Sequence, residues 1–157
     1  MPLPSEHFHN AKFKYNSAFH LLKVTYPVVK DPRLFLGIIG NIFESMQAAM
    51  DGLLEFERSN HRLVGNPQEF ESKIVLFRSK VVPLYNIPFQ LIGVMTSVKK
   101  ILDTHKKAPV EFQRGGKMVI CNEGYREIEL VTVEKVQEFL VQTQKFLNLS
   151  ETIVKKN

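Results

Sequence analysis

Six basic side chains, Lys99, Lys100, Lys106, Lys107, Arg114 and Lys117, fall in one short stretch whose only acidic residues are Asp103 and Glu111. That stretch holds +4 of the chain's formal net charge of +5. Residues 1–98 carry ten basic and eight acidic groups and residues 118–157 carry five and six, so the excess is local. Cations clustered in this way attract phosphate-bearing polymers, because each phosphate neutralised releases a condensed counterion, with no demand on sequence. Two aromatics lie close by, Phe112 and Tyr125, and rings beside cations stack on exposed bases; Phe112 equally suits a residue that pins the loop to the core. Between Arg114 and Lys117 stands Gly115-Gly116. Its backbone N–H groups suit a phosphate cradle, but the chain lacks a Walker pattern and a strand–glycine loop–helix order, which favours a flexible loop tip. Lys99, Lys100, Lys106 and Lys107 also have a structural use near a helix end, where cations offset the negative pole of the dipole.

Other reactive residue types are scattered. His7 and His9 are two apart and point about 200° from each other on a helix, so they cannot share an ion. With a single cysteine and no convergent histidines, no metal site is expected. Cys121 beside His105 would make a nucleophile and base, but a lone cysteine in Val-Ile-Cys reads more simply as a small buried hydrophobe. No pair of carboxylates has the arrangement of a general acid and base. No catalytic residue and no cofactor is expected.

The elements that must hold these residues are mostly helices. Phe8, Ala11, Tyr15, Ala18, Leu22 and Tyr26 share one face of a helix over about 5–28, with Ser5 as its cap and Pro27 blocking its continuation. Asp31 and Pro32 suit the cap and first position of a long second helix. Along it Phe35, Ile39, Ile42, Met46, Ala49, Leu53 and Phe56 repeat at helical spacing to about residue 60. A second stripe on the same helix is small (Gly37, Asn41, Ser45, Ala48, Gly52), which calls for the close approach of another helix, within the chain or from a second copy. Asn66 and Pro67 suggest the start of a third helix with Phe70, Ile74, Phe77 and Val81 buried. Pro83 and Pro88 bracket a break, and a fourth helix follows with Leu91, Met95, Val98 and Leu102 inward and Ile92 and Ile101 beside them. After Pro109 the period changes to two: 118–121 and 125–131 form a hairpin around an Asn122–Gly124 turn, with Ile128 and Leu130 on one side and Glu127 and Glu129 on the other. Thr132 caps a last helix carrying Val133, Val136, Leu140, Thr143 and Leu147, fraying from Ser150. The expected fold is mainly α: a single-domain up-and-down bundle of about five helices over 1–157, with the basic loop and a small β-hairpin at about 106–131, before the last helix.

This order of helices, with the long second one from Asp31-Pro-Arg-Leu-Phe-Leu to Arg58, resembles HEPN-type domains. The runs Thr25-Tyr-Pro, Asp31-Pro-Arg-Leu and Pro109-Val-Glu-Phe-Gln-Arg114 with Met118-Val-Ile-Cys121 are similar to a group of small uncharacterised archaeal proteins. The first resemblance implies a compact helical bundle, often dimeric and often associated with RNA or nucleotides. Active HEPN ribonucleases set an arginine and a histidine further apart on a helix than Arg58 and His61, which only Ser59 and Asn60 separate. Their catalytic residues therefore do not carry over.

One cysteine leaves no intramolecular disulfide, the amino terminus lacks the apolar core of a secretory signal, and no apolar run reaches the roughly 20 residues of a membrane span. A cytoplasmic location is expected, with no membrane association. The expected function is a non-catalytic helical binding module that recognises RNA or another polyanion through Lys99, Lys100, Lys106, Lys107, Arg114 and Lys117, and that pairs as a homodimer through the 31–60 helix. The alternatives are a protein-interaction or antitoxin-like partner with incidental charge, and a divergent ribonuclease using Arg58 and His61.

Overall fold

The first helix opens at Pro4, one residue before the expected Ser5 cap. Leu3 is the extended flanking residue, and its N–H donates to Glu6 Oε2 at 2.8 Å, so the first turn is held from inside by a carboxylate. In a computed structural model describing residues 2–107, 110–121 and 128–157, α1 (Pro4–His20) does not end before Pro27. It passes through a π-helical turn, Leu21–Thr25, into α2 (Tyr26–Val29), where the Tyr26 N–H reaches back to Leu21 O. The wider turn displaces the carbonyls that a proline ring would otherwise meet, which is why Pro27 sits inside a continuous rod. Lys30, in the left-handed region at φ 55°, ends it.

Asp31 does not cap the next helix directly: its Oδ1 accepts the Arg33 N–H at 2.9 Å in the turn that leads in, and α3 (Leu34–Ser59) starts after Arg33 with no side-chain cap. This helix runs through the middle of the molecule, with Phe35, Ile38, Ile39, Ile42, Met46, Ala49, Met50 and Leu53 fully buried. α1 lies antiparallel along it, with Phe8 against Gly52, Ala11 against Ser45 and the Tyr26 ring 5.0 Å from that of Phe35. The small-residue stripe makes this approach possible. Ser45 Oγ donates to Ala11 O at 2.7 Å, and a Cβ at Gly52 would stand 2.7 Å from the Phe8 ring. From Ser45 to Gly52 the stripe is thus filled by the chain's own first helix.

The third long helix starts later than Asn66-Pro67 suggests. Residues 62–69 stay non-helical, and α4 (Phe70–Lys80) begins with Glu69 as its extended flanking residue. That spacer is tied back to α3: Arg58 Nε donates to Gly65 O at 2.9 Å, and Leu63 is buried. Within the proline-bracketed break lies one helical turn, α5 (Val82–Tyr85), closed by Asn86 at φ 51°. Tyr85 and Arg62 both hydrogen-bond the buried carboxylate of Glu57, Arg62 Nε at 2.6 Å, which clamps the spacer and α5 to the end of α3. α6 (Phe89–Lys107) follows with Leu91, Ile92, Met95, Val98 and Ile101 in the core.

Three strands precede the last helix instead of two: β1 (Val110–Arg114), β2 (Lys117–Cys121) and β3 (Ile128–Val131), antiparallel in the order β1-β2-β3. The expected β2–β3 pairing is present, Met118 facing Val131 and Cys121 facing Ile128. The additional strand pairs through Arg114 and Lys117 across Gly115 and Gly116, at φ 58° and 75°. This is a tight two-residue turn that needs positive φ twice, which a second glycine supplies. Pro109, the Asn122–Gly124 turn, Tyr125 and Glu127 lie outside the described residues.

α7 (Val133–Lys156) starts at Thr132, whose Oγ1 accepts the Lys135 N–H at 3.1 Å as the sequence predicts. It does not fray at Ser150: Ser150 and Ile153 are buried and the helix continues to Lys156. With the rod from Pro4 to Val29 counted once, the described residues form six helices, five of them longer than two turns, around one hydrophobic core. No helix is long and apolar enough to cross a membrane.

Candidate polyanion interface

The two halves of the basic stretch have different surroundings. On α6, Lys99 is spent locally: its Nζ is 2.8 Å from Asp103 Oδ1 one turn on and lies about 6 Å above the Phe43 and Phe70 rings. Lys100 Nζ is 3.5 Å from Glu129 Oε1 of β3. His105 pairs with Glu111 of β1. The sheet therefore docks on α6 with both of its described carboxylates turned toward helix side chains, Glu129 to Lys100 and Glu111 to His105.

Alternation then fixes the sheet's two faces. Glu111, Gln113, Met118, Ile120, Glu129 and Val131 face the bundle, with Met118, Ile120 and Val131 buried and Gln113 Nε2 3.1 Å from Asp31 Oδ1. Phe112, Arg114, Lys117, Val119, Cys121, Ile128 and Leu130 fall on the other side, where Cys121 is buried. Ile128 and Leu130 share one side and Glu129 takes the other, as expected; the side of Ile128 and Leu130 is the outer one, 61% and 39% exposed. Register with the buried Met118 and Ile120 of β2 turns Glu129 inward, where it meets Lys100, and Val131 is the residue of β3 that reaches the core. Phe112, at 41% exposure, stands on the outward face and does not pin the loop.

Lys106 and Lys107 are exposed in the last turn of α6, and Arg114 and Lys117 are exposed and directly opposite each other at the hairpin tip. Among the described residues, none of these four has an acidic group within ion-pair distance. Lys107 also joins Lys99 and Lys100 in an open groove of about 480 Å³ between α6 and the start of α4, whose walls include Thr96, Asp103 and Glu71. The structure thus assembles Lys99, Lys100 and Lys107 along one groove and Arg114 with Lys117 at a separate tip, while Lys106 belongs to neither.

The remaining candidates stay apart. Cys121 is buried, and His105 is engaged by Glu111 rather than by the thiol. Arg58 pairs with Glu55 and donates to the Gly65 carbonyl, whereas His61 is exposed beyond the end of α3 at φ 59°. Among the described residues, no three His, Cys, Asp or Glu side chains converge as metal ligands would. Asp31, beside the hairpin, has its carboxyl held below the ordinary range by hydrogen bonds from the Arg33 side chain and backbone. What sequence reading missed is the outward row Phe112–Val119–Leu130, and the signal for it was Gly115-Gly116, a two-residue hairpin turn that sets those residues in register. No protein-family model, no curated protein and no solved structure matches this chain.

Proposed function

We propose that this chain is a non-catalytic, HEPN-like helical binding module that recognises RNA or another polyanion through the surface from Lys99 to Lys117. One observation carries the reading: Lys106, Lys107, Arg114 and Lys117 are exposed without an acidic partner among the described residues, while Glu111 and Glu129 turn to α6. Cations left unneutralised on a surface whose acids face inward raise the local potential and draw in phosphate. Lys99 and Lys100 contribute less, since each already has a carboxylate beside it. Pairing of two copies through α3, the second part of the proposal, falls to its amino-terminal end, where nothing lies within 4 Å of a Cβ placed at Gly37 or Gly40.

A salt titration of RNA binding tests the first part. Affinity is expected to fall steeply with salt. Lys106→Ala, Lys107→Ala, Arg114→Ala and Lys117→Ala are each expected to flatten that dependence, by about 0.7 in log–log slope for every single-strand phosphate left unneutralised. Absence of binding at low salt refutes it. Light scattering at micromolar concentration tests the second part, and a monomer mass refutes it.

A further inference from the structure

We propose that the outward face of the β1–β3 sheet is a platform for single-stranded nucleic acid, with Phe112 stacking on a base and Arg114 and Lys117 meeting the neighbouring phosphates. This rests on the polyanion reading above and specifies both the ligand's form and the surface that reads it.

The face is segregated in a way that core packing does not require. Its described residues are apolar or cationic, and both acidic residues of the described sheet are on the opposite side. Phe112, Val119 and Leu130 are direct cross-strand partners and form one apolar row, with Ile128 diagonal to it. A row of this kind left 39–61% open at Phe112, Leu130 and Ile128 is unusual for a sheet whose other face already supplies the core. Arg114 and Lys117, directly opposite each other, flank the row on the same face at the hairpin tip. At about 3.4 Å per residue β1 is about 14 Å long, well short of the about 34 Å of one duplex turn. An aromatic ring on a flat strand reaches the face of a base only where that base is unstacked, which a single strand allows and a duplex does not. Positive charge at the hairpin tip beside the row, with no described acid on that face, matches the phosphates of a backbone that passes Phe112 and favours a nucleic acid over an apolar protein segment.

The test is fluorescence anisotropy with a labelled oligouridylate about ten nucleotides long, within the range that such surfaces take, beside the same length of RNA duplex and heparin. Phe112→Leu keeps an apolar side chain in the row and removes only the ring. It is expected to weaken single-strand binding by about fivefold or more, without changing the salt slope or heparin binding. Arg114→Ala and Lys117→Ala are expected to reduce the slope. If Phe112→Leu leaves oligouridylate binding unchanged while Arg114→Ala weakens all three ligands, the platform is wrong and the polyanion reading stands. If no ligand binds at low salt, both fall. Tight binding to phosphatidylserine vesicles with none to oligouridylate also overturns the proposal and assigns the face to a membrane surface.

Discussion

Glu57 is the one charged side chain among the described residues that is buried in the core, and Glu57→Ala is expected to cost more than any surface change in the molecule. Its carboxylate accepts from the Tyr85 hydroxyl and from Arg62 Nε and Nη2, the latter two at 2.6 and 3.2 Å. A hydrogen bond between a buried charge and a hydroxyl contributes about 1.5–3 kcal/mol. The Arg62 side chain is 41% exposed, so water takes over much of what it loses and its two bonds add little. The methylene removed adds about 0.8 kcal/mol. The sum is about 2–4 kcal/mol, overlapping the range found when one partner of a buried pair is removed. For a chain of this size that is about 10 °C in melting temperature. Urea unfolding followed by circular dichroism measures it, with the denaturant slope unchanged if the native state keeps its compactness. A loss below about 1 kcal/mol would refute the reasoning. So would a double-mutant cycle with Tyr85→Phe that closes to additivity within about 0.5 kcal/mol, since the two groups would then not be coupled.

Other outcomes follow from the same geometry. Gly52→Ala should destabilise despite the roughly 1 kcal/mol that alanine gains in helix propensity, because its Cβ would sit 2.7 Å from the Phe8 ring, and Phe8→Leu should relieve part of the loss in chemical denaturation. Gly115→Ala or Gly116→Ala places a side chain at positive φ and should cost about 1 kcal/mol or more, visible as faster amide exchange in β1 and β2 with the helices unaffected. The Asp31 carboxyl, held low by Arg33, lends stability at pH above its unfolded value that is lost as pH falls through its lower folded one; in an NMR titration Arg33→Ala should raise its midpoint, and an unmoved midpoint refutes the pairing. Burial, with Glu57 second, pushes the Tyr85 phenol above its ordinary value, so its contribution is complete below about pH 10 and lost as pH rises through the raised value. Tyr85→Phe should lack that alkaline loss.

The helices were legible wherever apolar spacing and a start signal agreed. Thr132 and the residues behind it specify α7, and Asp31-Pro32 in the turn that leads in, with the run from Phe35 to Phe56, specify α3. Errors came where a local signal was overruled by distant partners. Asn66-Pro67 reads as a helix start, but the segment is drawn along α3 by Arg58 and Leu63 instead. Pro27 reads as a stop, and a π-turn several residues earlier removes the clash. The sheet shows a choice that sequence leaves open. Alternation of Ile128 and Leu130 with Glu127 and Glu129 has two solutions, and apolar-inward is ordinarily the right one. Here the register with β2, whose Met118 and Ile120 are buried, carries Val131 and Glu129 inward and leaves Ile128 and Leu130 outside, which no single strand reveals. The pairs Lys99–Asp103 and Lys100–Glu129 separate the six cations into those with acidic partners and those without, a distinction absent from composition.

The π-turn at Leu21–Thr25 has a meaning for how the chain can change length. One extra residue in a regular helix would rotate everything after it by about 100° relative to what came before. Here the wider turn absorbs that rotation, so Tyr26 meets Phe35 while Phe8 and Ala11 keep their own places against Gly52 and Ser45. Deleting a single residue from this turn would restore regular helix with Tyr26 still in phase toward Phe35, but it would return the Pro27 ring to the carbonyl it now avoids. The rod therefore contains a built-in frame shift, one that a substitution cannot imitate and a one-residue deletion would erase.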